Sequence, residues 1–271
     1  MAKVLTLNTH SWLEENQLEK LEILAQRIAD QAYDLVCLQE VNQLAQSAQA
    51  WQFTTYQSVA DQPDLHADHF VGLLVERLAD LGLTYYWSWV YNHIGFDRYH
   101  EGVAILSRNP LAPRELRVSD AADPLDYHTR KVLLAETQVA GRTVTVASVH
   151  LSWWNKGFQE EWARLEKELL PQVNSLLLMG DFNNPVGQEG YKTILASPLD
   201  LQDCHQVARE RSGNHTVAGE IAGWQGNQED LKIDYVFSRK GLSVRSSKVV
   251  FDGQNAPVIS DHYGLEVELD W

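Results

Sequence analysis

The sequence has no run of lysine or arginine. Its 22 basic residues are scattered among 37 acidic ones, for a formal net charge of -15. Proteins that hold a polynucleotide by its backbone gather cations on one face, because phosphate neutralisation drives that binding. The balance therefore argues against extended nucleic acid, although a bound metal ion offsets local negative charge. It fits a small phosphorylated substrate more easily. Cysteine is nearly absent: Cys37 and Cys204 cannot make a disulfide framework. Cys37, in Leu35-Val36-Cys37-Leu38, reads as a small buried hydrophobe, and the expected compartment is a reducing cytoplasm. There is no basic-plus-apolar leader at Met1-Ala2-Lys3-Val4 and no apolar stretch of membrane-spanning length. No repeat, low-complexity tract or Pro/Ser-rich linker divides the chain, so residues 1–271 are expected to form one large α/β domain. A chain of this length needs no disulfide or metal to fold.

What is present is an alternation of strands and helices. Residues 3–8 read as a strand. Residues 15–31 read as an amphipathic helix with Leu18, Leu21, Leu24, Ala25 and Ile28 on one stripe. Residues 34–38 read as a buried strand, 67–81 as a second helix and 83–90 as an aromatic strand. Further strands are expected at 102–107, 130–139 and 143–149, the last two joined by the hairpin signal Ala140-Gly141-Arg142. Residues 158–170 read as a helix. Residues 175–179 read as a strand that is apolar from Leu176 to Met179, so both its faces should be covered. Strands at 233–238, 242–251 and 264–269 complete the set. Long hairpins mixed with helices imply two stacked sheets with helices outside; strand order is not readable.

Polar residues stand where these strands run out: Asn8, Glu40, His150, Asp181, Asp234 and Asp261-His262. Such groups gather at one edge of a sheet, where sites in α/β folds are built. Taken singly each has a structural alternative: Asn8 caps a turn, Asp181 caps a helix, His150 is a hydrogen-bonded core histidine. Six together favour a site. Mg²⁺ takes oxygen ligands with one or two carboxylates, a role that suits Glu40 and Asp261. Mn²⁺ is an acceptable substitute. Zinc fits less well, because no close pair such as His-x-x-x-His stands with a carboxylate partner. Asp181 and Asn183, at i and i+2, can face one pocket; the carboxylate would accept a proton from an attacking water and the amide would hold that water or a phosphoryl oxygen. Asp234 is the expected partner of His262, and Glu101 the expected partner of His150. Arg130, at a strand start, is equally a bidentate phosphate ligand or an exposed charge. Several of the nine tryptophans fall near these loops. Trp87 and Trp89, at period two, look like one packed strand face, so Trp153 and Trp154 are the better candidates for stacking on a sugar ring.

In this order the residues resemble the endonuclease/exonuclease/phosphatase superfamily, the magnesium-dependent fold of DNase I, abasic-site endonucleases, neutral sphingomyelinases and inositol-polyphosphate 5-phosphatases. The resemblance runs from Asn8 to Leu269. It is carried by Leu7-Asn8, Leu38-Gln39-Glu40, Gly102-Val103-Ala104-Ile105-Leu106-Ser107-Arg108, Ser148-Val149-His150-Leu151, Gly180-Asp181-Phe182-Asn183, Ile233-Asp234-Tyr235-Val236-Phe237 and Ser260-Asp261-His262. It implies a DNase I-like four-layer α/β sandwich, two packed mixed β-sheets flanked by helices. It also implies Asn8, Glu40 and Asp261 at the metal, Asp181 and Asn183 at the nucleophilic water, and Asp234 supporting His262 at the scissile phosphate. Many members carry an acidic or small residue where this chain has His10, so no role is copied there; His10 is kept as a substrate-side candidate. The segment from Asn8 to Gln17 and the pair Gly223-Trp224 resemble a branch that includes maltose 6'-phosphate phosphatase. The expected activity is hydrolysis of a small sugar phosphate; the alternative is a nuclease cutting DNA or RNA with the same groups.

Overall fold

In the computed structural model, which describes residues 1–50 and 53–271, two mixed sheets lie face to face. The first sheet contains β1 (Ala2–Asn8), β2 (Leu35–Leu44), β3 (Tyr86–Gly95), β4 (Tyr99–Ser107), β10 (Glu210–Ser212), β12 (Ser243–Val250) and β13 (Gly264–Asp270). The second contains β5 (Ala112–Arg117), β6 (Lys131–Val139), β7 (Arg142–His150), β8 (Ser175–Asp181), β9 (Leu201–Asp203) and β11 (Asp234–Arg239). Their strand orders are β10-β12-β13-β1-β2-β4-β3 and β5-β6-β7-β8-β11-β9. Helices α1 (Gln17–Gln31) and α2 (Phe70–Asp80) cover the outer face of the first sheet. Helix α3 (Phe158–Leu169) and the short α4 (Glu189–Leu195) cover the second. A one-turn helix α5 (Cys204–Val207) follows β9. The DNase I-like four-layer sandwich is thus the fold of this chain.

Alternation along each strand divides the core. Val4, Leu35, Cys37 and Ile105 face Leu133, Val146, Leu177 and Met179 between the sheets. Leu5, Leu7, Trp87 and Trp89 face α1 and α2. In β8 the same period sends Leu177 and Met179 inward and Leu176 and Leu178 onto α3, so both faces are covered. Each such side chain contributes about 2 kcal/mol by leaving water. The β6–β7 hairpin turns on Ala140 and Gly141, both with positive φ (49° and 78°), the backbone of a tight primed turn.

Some boundaries differ from the sequence expectation. Leu18 is 71% exposed, because α1 begins at Gln17 and its buried stripe starts at Leu21. The strand expected to stop at residue 38 continues to Leu44. Its pairing with β4 passes from Leu38↔Ala104 to Val41↔Gly102, so Gln39 and Glu40 oppose the single residue Val103. This is a β-bulge, and Glu40 lies in it with φ 52°. Among the described residues no helix is long and apolar enough to cross a membrane.

Candidate active site

Topology brings the strand-end residues together. β7 and β8 are parallel with His150 beside Asp181, and β11 is antiparallel to β8 with Asp234 on the other side of Asp181. Three neighbouring strands therefore deliver His150, Asp181 and Asp234 to one edge. Gly180 makes that register possible: at φ 145° a Cβ there would lie 2.0 Å from the Val149 carbonyl oxygen. From the first sheet, β1 ends at Asn8, and the Ser260 hydroxyl donates to the Asn8 carbonyl at 2.7 Å, tying the Asp261-His262 turn to that strand end.

Asn8 joins the two sheets. Its amide Nδ2 donates to Glu40 Oε1 at 2.8 Å and to Asp181 Oδ2 at 3.3 Å. The bulge at Glu40 is what swings that carboxylate into reach. Asp181 is held by the backbone N–H of Asn183, which donates to Oδ1 at 2.8 Å. Its Oδ2 lies 3.6 Å from His150 Nε2 and 3.8 Å from His262 Nε2. His262 Nδ1 meets Asp234 Oδ2 at 3.0 Å, the expected pair, while Asp234 Oδ1 has no partner among the described residues. Asn183, at φ 50°, donates from Nδ2 to the Leu151 carbonyl at 2.9 Å and accepts from Trp224 Nε1 at 3.0 Å.

The electrostatics are those of crowded, dehydrated carboxylates. Burial, then the neighbouring Glu101 and Asp261, pushes Glu40 up to about 8. Burial, then Asp234, raises Asp181 to about 7. Burial opposes a charge on His262, but Asp234, Asp181 and Asp261 override it and lift the imidazole to about 10. His150 goes the other way: burial, then Arg130, His262 and His93, holds it well below the ordinary histidine value. One imidazole is thus charged and its neighbour neutral.

Three placements correct the sequence expectation. Glu101 does not pair with His150; its Oε1 lies 3.2 Å from His93 Nε2. His93 was missed because a bulge between Tyr91 and His93 puts it opposite Glu101, an offset that no period-two pattern carries. Trp154 turns away from the site onto Phe158, with ring centroids 6.0 Å apart. His10 also faces elsewhere: its Nδ1 lies 2.7 Å from Glu14 Oε1 and 3.8 Å from Asp261 Oδ1. Arg130 is not an exposed charge. It is 3% exposed, and its Nε and Nη1 have no partners among the described residues.

These groups surround a cleft of about 330 Å³, lined by Glu40, His93, Arg130, His150, Asp181, Asn183 and His262 on its floor and by Phe96, Tyr127, Trp153, Lys156, Gly223 and Gln225 on its walls. Gly223 lies flat against Trp153, where a Cβ would come within 2.5 Å of the indole. Lys156 Nζ sits 4.7 Å from the centre of the same ring. A larger hollow of about 510 Å³ near Lys3, Arg27 and Glu266 contains none of the strand-end groups.

The model of the Endonuclease/Exonuclease/phosphatase family matches residues 12–262. The chain belongs to this family. Family members are hydrolases of phosphoesters and generally use divalent metals. A family protein from Leptotrichia buccalis shares 32% identity over 100% of both chains, with a TM-score of 0.87. The mannosyl-6-phosphatase of Bacteroides thetaiotaomicron superposes over 100% of both chains at TM-score 0.67 with 15% identity. The human Nocturnin catalytic domain with bound sulfate covers 99% of this chain and 93% of its own at TM-score 0.67 and 19% identity. The last two likenesses are of fold. No curated protein matches the sequence.

Proposed function

We propose that this family member is a divalent-metal-dependent phosphomonoesterase acting on a small phosphorylated sugar, with maltose 6'-phosphate the first candidate. The observation that carries the reading is the cleft. It has room for one phosphorylated sugar, an indole face at Trp153, and two cations, Arg130 and Lys156, that make no ion pair with a carboxylate among the described residues. The mannosyl-6-phosphatase of the same fold agrees with it.

The donor set fits a hard cation. Asn8, Glu40 and Asp261 offer oxygens, and Glu40 is crowded by like charges that an ion would neutralise. These three residues would hold Mg²⁺ or Mn²⁺. A cation held there would supply charge neutralisation of phosphoryl oxygens and of a leaving alkoxide. The protein's own groups do the rest. Asp181, with Oδ1 fixed by the Asn183 N–H, presents Oδ2 to a water and takes its proton. Asn183, held at both ends of its amide, orients that water or a phosphoryl oxygen. His262, kept charged by Asp234, donates from Nε2 to the phosphoryl group, and neutral His150 adds a second hydrogen bond. Arg130, in the cleft lining beside His150, would offer the phosphate the guanidinium N–H groups that face the cleft. Glu101 acts one step back, by orienting His93 in the cleft lining.

Phosphate release from maltose 6'-phosphate, measured with Mg²⁺, with Mn²⁺ and with chelator, beside nicking of a supercoiled plasmid, tests this. Metal-dependent release with intact plasmid is expected. Plasmid nicking with an inert sugar phosphate would transfer the same machinery to a nuclease.

A further inference from the structure

The chain leaves β1 at Asn8 and reverses through His10 and Ser11, with φ 47° and 42°. The 3-10 turn Ser11–Leu13 then brings Glu14 back beside His10. On the other side stands Asp261, from the turn before β13. One potential ligand atom from each of His10, Glu14 and Asp261 lies within 4.8 Å of the other two, and all three residues are partly buried. A cation with bonds of about 2.0–2.3 Å bridges donor atoms at such separations after small side-chain adjustments. Glu40 is not a member of this triad.

We propose that His10, Glu14 and Asp261 form a second cation site, joined to the Asn8–Glu40 oxygen set through the shared Asp261, and that it takes a divalent transition-metal ion. The chemistry of the donors sets the preference. Two carboxylates alone would suit Mg²⁺, but an imidazole favours ions further along the transition series, and Mg²⁺ gives up water reluctantly for nitrogen. Glu14 is positioned for the role: Lys20 engages its Oε2, which leaves Oε1 turned towards His10. None of the three residues lines the cleft, so this ion would act on the field at Asp261 and Glu40 without touching a sugar. The proposal rests on the metal-dependent reading but not on the identity of the substrate.

The test is direct metal binding by metal-free protein without substrate. Mn²⁺ titration followed by electron paramagnetic resonance should show two ions per chain, with nitrogen coupling in the pulsed spectrum. His10→Ala should weaken one Mn²⁺ by at least about tenfold and remove the nitrogen coupling, while Mg²⁺ affinity changes little. Glu14→Gln, which keeps the volume of the side chain, should weaken the same ion. X-ray absorption of the wild-type protein loaded with Co²⁺ gives a reading without any substitution, and should show an imidazole shell. One ion per chain in the wild type, or unchanged binding and nitrogen coupling in His10→Ala, overturns the second site while leaving phosphatase activity to be judged by its own assay. Two ions that both persist in His10→Ala and Glu14→Gln overturn it equally.

Discussion

Trp224 donates its indole N–H to the amide oxygen of Asn183 at 3.0 Å, and Asn183 in turn donates to the Leu151 carbonyl at 2.9 Å. Both ends of that amide are therefore assigned, and it cannot flip without breaking two hydrogen bonds. Trp224 sits in the loop that lays Gly223 on Trp153, so one short segment fixes both a wall of the cleft and the orientation of a polar group on its floor.

Replacing Trp224 by Phe keeps most of the ring and removes the donor. The expected result is a fall in kcat of about tenfold with KM nearly unchanged, the pattern of a lost orientation. Stability should drop by only about 1 kcal/mol. A raised KM with unchanged kcat would place Trp224 in substrate binding alone.

Asp181→Asn should lower kcat by about 10²–10⁴-fold, the range of a lost general base. The same change should leave the metal-free melting temperature unchanged or raise it. Burial and the neighbouring Asp234 make an ionised carboxylate costly at that position, and an amide of the same shape avoids the cost. Retained turnover above a tenth of wild type would remove Asp181 from proton transfer.

The site and its scaffold were legible in the sequence to different depths. The strands that deliver polar residues carry an apolar pattern, alternating in β7 and continuous in β8, which shows both of its buried faces within residues 175–179. What the sequence hid was register. The bulge that turns Glu40 inward and the one that sets His93 against Glu101 are backbone irregularities, invisible to alternation. The wrong partner for His150 follows from the second of these. The edge strand β5, half exposed and carrying Pro113, and the three-residue strands β9 and β10 have too little pattern to be read. Trp154 misled because one residue of offset within Trp153-Trp154 sends the second ring to the core.

Gly180→Ala tests the register at the site. The new Cβ would meet the Val149 carbonyl in a backbone conformation that L residues avoid. The expected loss is about 3 kcal/mol or more in urea unfolding, with activity lost as His150 and Asp181 separate. A stable, active variant would show that the β7–β8 approach yields to a methyl group.

Part of the acid sensitivity should trace to His69, which does not line the cleft. This histidine is fully buried against Trp87 and Trp89 and caps α2 by accepting the Gly72 N–H at 3.2 Å. Burial lowers its pKa to about 3. The unfolded chain takes up that proton near pH ~6.5 and the folded chain does not. Its contribution is therefore complete above pH ~6.5 and is lost as the pH falls towards 3, by about 2 kcal/mol between pH 7.5 and pH 5. His69→Asn, which keeps a cap, should flatten that part of the curve. Parallel pH profiles for the two proteins would refute the assignment.

The most direct measurement is an anomalous difference map from crystals soaked in Mn²⁺. The proposed metal site at Asn8, Glu40 and Asp261 predicts a peak within bonding distance of the Glu40 and Asp261 carboxylates, near the end of β1 where Asn8 bridges Glu40 and Asp181. Manganese density elsewhere on the surface, with no peak between Glu40 and Asp261, would contradict it.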